Sequence, residues 1–242
     1  MHTIPANEPP ASRAIAAIRA GDLAELSRLL EDDPVLATAR IVRRRGDTLT
    51  LLHVAADWPG HFASGPEVVA TLLQAGADVD ARYEGPHDQT PLHWAASSDD
   101  VGVLDALLDG GADIEAPGAF NGVGGPLDNA VGFGQWNTAR RLVERGAQVK
   151  LWHAAALGLT DQIEARFAED PPPTPAEITE AFWQACHGDQ RAAAEYLAER
   201  GADLNWIGYD DLTPLDNARR SGADELAAWV EARGGTSAAE LD

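Results

Sequence analysis

Apolar residues fall in short blocks along this chain, and the blocks come in pairs. In "TPLHWAASSDDVGVLDALLDGGADIEA" (90–116) a first block, PLHWAA, meets the polar break SSDD, then a second block, VGVLDALL, runs into GGAD. Apolar blocks bounded by polar and glycine breaks predict two short helices joined by a tight turn. The arrangement returns at 51–81, 125–149, 181–205 and 213–235, with looser copies at 14–34 and 151–170, which makes seven helix-pair units. Gly76, Gly111 and Gly146 are spaced at 35 residues, so the pairing is a true repeat and every motif has to be read against it.

The repeated residues have local reasons. Thr90 and Thr213 sit where a hydroxyl can cap the free N–H groups of a starting helix, and Pro91, Pro126 and Pro214 follow at the first helical position, where a missing N–H costs nothing. The small pairs Ala55–Ala56, Ala95–Ala96 and Ala154–Ala155 let neighbouring first helices approach closely. Gly76, Gly111, Gly146 and Gly201 stand where a second helix ends in a left-handed residue. Segments 77–89, 112–124 and 202–212 then form extended fingers between units. Two places break the period. His53 to Gly76 is 23 positions against 18 from His93 to Gly111, so "WPGHFASG" (58–65) is a lengthened loop. The join "GAQVKLW" (146–152) is too short for a full finger, and the next join, 168–177, is proline-rich, which marks the unit between them (150–170) as a seam.

The strings "TPLHWAA" and "GADVD" resemble the ankyrin repeat, whose pattern is T-P-L-H-x-A-A, a second helix, then G-A-D-V-N. The resemblance runs from about residue 12 to 234, and "DWPGH" and "AFWQACHGD" resemble a group of bacterial ankyrin proteins. It implies an all-α ankyrin-repeat solenoid of about seven helix-loop-helix units with short β-hairpin-like fingers. The units lie near 12–37, 48–80, 88–116, 123–149, 150–170, 175–205 and 211–234, between an N-terminal tail (1–11) and a C-terminal tail (235–242). It also implies that His53 and His93, at the histidine of the pattern, fix the turn between finger and helix. The same slot elsewhere is read as Asp128, Trp152, Trp183 and Asp216, so it is structural rather than catalytic.

One residue beyond that slot the side chain is expected to face a concave groove. The units present Val54, Trp94, Asn129, His153, Gln184 and Asn217 there, and one helical turn on Asp57, Ser97, Gly132, Ala156, His187 and Arg220. Fingers add Tyr83, His87, Phe120, Trp206 and Tyr209. Trp94, Trp206 and Tyr83 are the expected anchors, because large amphipathic rings carry much of the energy of protein interfaces. His153, His187, Asp57, Asn129, Gln184, Asn217 and Tyr209 complete the expected binding set. Trp136 and Trp229 lie in second helices and are assigned to packing. Cys186 fills the second slot of an Ala–Ala pair and is expected to be inert. Asp99 and Asp100 are assigned to capping the helix that follows them.

Composition narrows the partners. With 39 acidic against 18 basic residues the formal charge is −21, which disfavours a phosphate backbone and favours a basic protein partner or a neutral small molecule. Lys150 is the one lysine, a bias associated with GC-rich bacterial genomes. The N-terminus lacks the apolar run of a signal peptide, and no apolar stretch approaches the roughly 20 residues that span a bilayer, so a cytoplasmic protein is expected. Histidines and carboxylates show no metal-ligand spacing. No cofactor, metal or catalytic residue is assigned. The reading is a protein-interaction module that binds through groove and fingers, with a small-molecule or enzymatic pocket around His153 and His187 as the alternative.

Overall fold

The computed structural model describes residues 2–120, 122 and 124–241. Residues 1 and 242 of the expected tails, and 121 and 123 of the finger expected over 112–124, the latter also opening the unit expected at 123–149, lie outside the described residues. Among the described residues seven helix pairs follow in chain order. They are α1 (Ala11–Ala20) with α2 (Leu23–Asp32), α3 (Leu51–Ala56) with α4 (Gly65–Gln74), α5 (Pro91–Ser97) with α6 (Val101–Asp109), and α7 (Pro126–Gly132) with α8 (Trp136–Glu144). Then come α9 (Leu151–Leu157) with α10 (Thr160–Phe167), α11 (Pro175–His187) with α12 (Arg191–Ala198), and α13 (Pro214–Arg220) with α14 (Asp224–Glu231). The chain divides into two compact bodies, Met1–Ala147 and Gln148–Asp242, and the division falls inside the irregular join 146–152.

In the N-terminal body the first helices α1, α3, α5 and α7 pack in file, and the second helices α2, α4, α6 and α8 do the same. Small residues make this possible: Ala55, Ala56, Ala95 and Ala96 are all at most 1% exposed, with Leu52, Leu72, Leu92, Leu104, Leu107 and Leu142 filling the space around them. In the C-terminal body α9, α11 and α13 pack in file, and Phe182 and Cys186 of α11 are wholly buried. Helix ends follow the expected chemistry. Gly76, Gly111, Gly146 and Gly201 take φ of 91°, 91°, 96° and 89°, the left-handed region in which a side chain is strained.

Asp100 is the N-cap of α6, accepting the Val103 N–H at 3.0 Å with one carboxylate oxygen. Its other oxygen accepts the His61 N–H at 2.6 Å, so the same buried side chain starts a helix and pins the lengthened loop of the preceding pair. Asp99 works across pairs, accepting the Thr138 N–H of α8 at 2.9 Å. Replacing Asp100 by Ala removes a cap and leaves a buried N–H unpaired, an expected loss of about 2 kcal/mol. Chemical denaturation measures it, together with new protease sensitivity confined to residues 58–64. A loss below about 0.5 kcal/mol, the size of an ordinary surface change, would contradict the double role.

The termini differ from the expected tails. Thr3–Pro5 forms β1, parallel to β2 (Arg40–Val42), which pairs antiparallel with β3 (Thr48–Leu49). Ile4 is buried at 5% exposure, and the sheet continues through an antiparallel bridge from Thr48 to Glu84 of the next finger. At the other end the Ala238 N–H donates to Asp216 at 2.7 Å and the Thr236 N–H to Asn205 at 2.8 Å, so residues 236–238 fold back on the last repeat. A further difference is the length of α11: it starts at Pro175 and runs 13 residues where other first helices have six to ten.

Candidate functional site

Each first helix from α3 onward opens with a side chain that turns back to the N–H three residues before it. His53 Nδ1 accepts the Thr50 N–H at 3.2 Å, and His93 Nδ1 accepts that of Thr90 at 3.2 Å. A ring nitrogen that accepts an N–H carries no proton, so the His53 proton sits on Nε2, from which it reaches the Gln89 carbonyl at 3.1 Å. Burial holds both rings neutral, pulling His53 down to about 3 and His93 down to about 4. Asp128 and Asp216 do the same for Gly125 and Thr213 at 3.0 and 3.3 Å. In α11 the two tasks are divided. Glu177 accepts the Thr174 N–H at 2.8 Å, and Trp183 donates its indole N–H to the Leu212 carbonyl at 2.9 Å, the position matching Gln89.

His153 belongs to this ladder and not to the groove. Its Nδ1 accepts the Lys150 N–H at 3.1 Å and its side chain is fully buried, while Trp152, expected in the slot, is half-exposed beside Lys150. The register is one residue later than the sequence suggested, because the capping threonine is replaced here by Lys150. His187 is half-buried at the end of α11, near the Ser221 hydroxyl at 3.3 Å and the Trp183 ring at 6.0 Å. With His153 committed to a helix start, the histidine pair of the alternative reading is not assembled. Among the described residues no group of three His, Cys, Asp or Glu side chains is placed to hold a metal ion.

The positions after the slot also need correction. Asn129 and Asn217 are fully buried, Gln184 is 3% and Val54 4% exposed, because the alanine pairs bring the first helices close enough to seal them. The asparagines tie adjacent pairs together. Asn129 donates to the Ser97 hydroxyl at 3.0 Å and accepts the Phe120 N–H at 2.8 Å, and Asn217 donates to the Trp183 carbonyl at 3.2 Å. Cys186 is wholly buried and burial pushes its thiol up, so it is not a nucleophile.

Trp94 is the exception. It stands half-buried, edge-on to His53 (5.1 Å between ring centres) and Tyr83 (5.3 Å), with Arg43 over its ring at 5.8 Å. The Tyr83 hydroxyl donates to Asp47 at 2.7 Å and accepts from Arg43 at 2.9 Å, which fixes the finger against the tryptophan. Beside this braced ring opens a cleft of about 270 Å³ whose walls include Asp57, Trp58, His87, Trp94, Phe120 and Phe133. Trp58 is 75% and Phe133 52% exposed, and Phe133 tilts against Phe120 at 5.2 Å. Burial raises the Asp57 carboxyl above its usual range, with Arg43 and Arg19 acting against that rise. The sequence missed Trp58 and Phe133 as site residues. Both adjoin expected groove positions, Asp57 and Gly132, and that adjacency was the available signal.

In the C-terminal body, Trp206 and Tyr209 stack edge to face at 6.3 Å, and Tyr209 meets Trp183 at 5.5 Å and donates to Glu180 at 2.8 Å. This second aromatic group stands on a finger.

Comparison with known proteins fits this geometry. The ankyrin-repeat family model matches residues 47–84 and 87–119, the two repeats that supply Asp57, Trp58 and Trp94. The crystal structure of the human ASB11 ankyrin repeat domain superposes over 92% of this chain and 98% of that one, with a TM-score of 0.55 at 18% identity. The chain carries ankyrin repeats on an ankyrin-repeat fold. This ankyrin-repeat chain is 32% identical over 138 residues to a Caenorhabditis elegans transient receptor potential cation channel subfamily A member 1 homolog, covering 53% of this chain and 11% of the channel. It is 35% identical over 100 residues to the Bos taurus protein fem-1 homolog A, covering 38% of this chain. The ankyrin-repeat chain thus spans only 11% and 15% of the length of these two relatives, so the likeness is to a part of each. Among the described residues no helix is long and apolar enough to cross a membrane.

Proposed function

We propose that this ankyrin-repeat protein recognises a protein partner in the cleft of its N-terminal body, with Trp58, Trp94 and Phe133 as apolar anchors and Asp57 facing a cationic side chain. The exposed rings of Trp58 and Phe133 carry the reading: large aromatics left in water beside a braced tryptophan are the composition of an interface centre rather than of an ordinary surface. The cleft's openness supports a macromolecular occupant over an enclosed metabolite. The net charge of −21 favours a basic partner and would act mainly on the association rate. Trp206 and Tyr209 form a separate aromatic surface on the C-terminal body.

The test starts from a partner captured from extract, identified, and reconstituted as a pure pair. In calorimetric titration Trp58→Ala is expected to weaken binding by about tenfold to a hundredfold, the effect of losing a central aromatic anchor. Its melting should stay within about 0.5 kcal/mol of the parent protein, as for other exposed positions. Trp94→Ala is a poorer reporter, since that ring also packs on His53 and Tyr83. Unchanged affinity in both Trp58→Ala and Phe133→Ala would remove the cleft from the interface.

A further inference from the structure

The tip of the β2–β3 hairpin carries three consecutive arginines, Arg43, Arg44 and Arg45, in a chain with more than twice as many acidic as basic residues. Arg43 is consumed internally, paired with Asp47, bonded to the Tyr83 hydroxyl and laid over the Tyr83 ring at 5.4 Å. Arg44 and Arg45 are exposed and, alone among the described arginines, make no hydrogen bond, ion pair or ring contact with described residues. The surplus of carboxylates makes this pattern informative. Arginines in such a chain find acidic neighbours easily, and the two at the tip are held away from all of them.

The hairpin that holds them there is rigidly mounted. Thr48 and Glu84 exchange backbone hydrogen bonds at 3.1 and 2.9 Å, and the Thr48 hydroxyl donates to the Glu84 carboxylate at 2.5 Å. Beneath the tip runs an open groove of about 1090 Å³ between the N-terminal strand and the next finger, with Pro5, Ala6, Val42, Gly85 and Pro86 along it. Its two carboxylates are already engaged, Asp47 with Arg43 and Tyr83, and Glu84 with Thr48 and, at 3.8 Å, Arg40. The local balance is therefore positive on a strongly negative molecule, and the groove offers apolar surface next to free guanidinium groups.

We infer that Arg44 and Arg45, together with this groove, form a docking surface for an extended acidic segment of a partner protein, carboxylates on the arginines and an apolar residue in the groove. Guanidinium forks match carboxylates in two parallel hydrogen bonds. A short acidic segment brings a few charges against two arginines. A nucleic acid duplex would bring a dense row of phosphates against a net charge of −21. The surface is separate in chemistry from the cleft at Trp58 and does not rest on that reading.

Fluorescence anisotropy tests it on the full chain with a short labelled peptide of alternating glutamate and leucine, and with its glutamine counterpart. The glutamate peptide is expected to bind at least about tenfold more tightly, and the double variant Arg44→Ala/Arg45→Ala to lose about tenfold or more, as expected for charge-assisted hydrogen bonds. The Arg44→Lys/Arg45→Lys variant should recover part of that loss, and Trp58→Ala should leave peptide binding unchanged. Both arginines are exposed, so the variants keep their fold. Equal binding of the two peptides, or an undiminished affinity in the double alanine variant, would overturn the inference. Tighter retention of a short DNA duplex by the same two arginines would overturn the assignment to an acidic protein.

Discussion

Lowering the pH from about 7.5 to about 5 is expected to remove on the order of 3–4 kcal/mol of stability from the N-terminal body, through two histidines alone. His53 and His93 are buried and use Nδ1 as an acceptor, so their neutral forms build the helix starts of α3 and α5. Burial lowers their folded values to about 3 and about 4, while an unfolded histidine titrates near its usual 6.5. As pH falls through 6.5 the unfolded chain takes up protons that the folded chain refuses. Stability is therefore intact above that value and declines toward the folded values, each site contributing roughly 1.4 kcal/mol per pH unit inside the window. Asp47 and Asp216, held below the usual carboxylate range by hydrogen bonds from Tyr83 and from Ala238 and Thr213 that outweigh their burial, lose their contribution only at lower pH. The two effects separate.

Denaturant titrations across this pH range measure the loss directly. His93→Gln should lower the plateau near neutrality, because one amide cannot reproduce the ring's hydrogen bonds, and should also cut the slope below 6.5 to about half, leaving His53 as the remaining titrating site. A flat profile between pH 7.5 and 5 would mean that the rings accept protons in place, and the ladder of helix starts would have to be redrawn.

That ladder shows how far the sequence could be read and where reading stopped. All seven helix pairs were visible, because what specifies them is local: a threonine before a proline, an alanine pair, a glycine after the second block. At Lys150 the local signal fails. No threonine or proline marks the helix start, Trp152 and His153 are adjacent candidates for one slot, and only the bond from Lys150 to His153 decides between them. The groove assignments of Val54, Asn129, Gln184 and Asn217 failed for a different reason. Whether Asn129 or Asn217 faces water depends on how closely α5 approaches α7 and α11 approaches α13, a tertiary distance that spacing along the chain does not encode. β1 is invisible in sequence because three residues gain meaning only by pairing with Arg40–Val42, far along the chain. Trp58 lay in the lengthened loop, where the insertion was legible and its orientation toward Asp57 and Trp94 was not.

Close approach of first helices also sets the largest expected effect of a single methyl group, at Gly188. This residue ends α11 with φ of −86°, an ordinary value for any amino acid, so its glycine is not explained by backbone conformation. The explanation is space. A Cβ built there would stand 1.9 Å from the carbonyl oxygen of Ala156 and 2.8 Å from its carbonyl carbon, both backbone atoms of α9 that cannot rotate away. Gly188→Ala must therefore push α11 off α9, disturbing the packing of Phe182 and Cys186, and is expected to cost about 3 kcal/mol, the upper range for overpacking a core. Gly201→Ala provides the contrast. Its φ of 89° is strained for alanine, but its Cβ would meet nothing within 4 Å, so about 1 kcal/mol is expected from the conformational strain alone. Urea midpoints of the two variants rank these causes. If Gly201→Ala proved the more damaging, the tight contact between α9 and α11 would not be what holds the C-terminal body together. The repeat's small residues would then serve helix geometry more than helix approach.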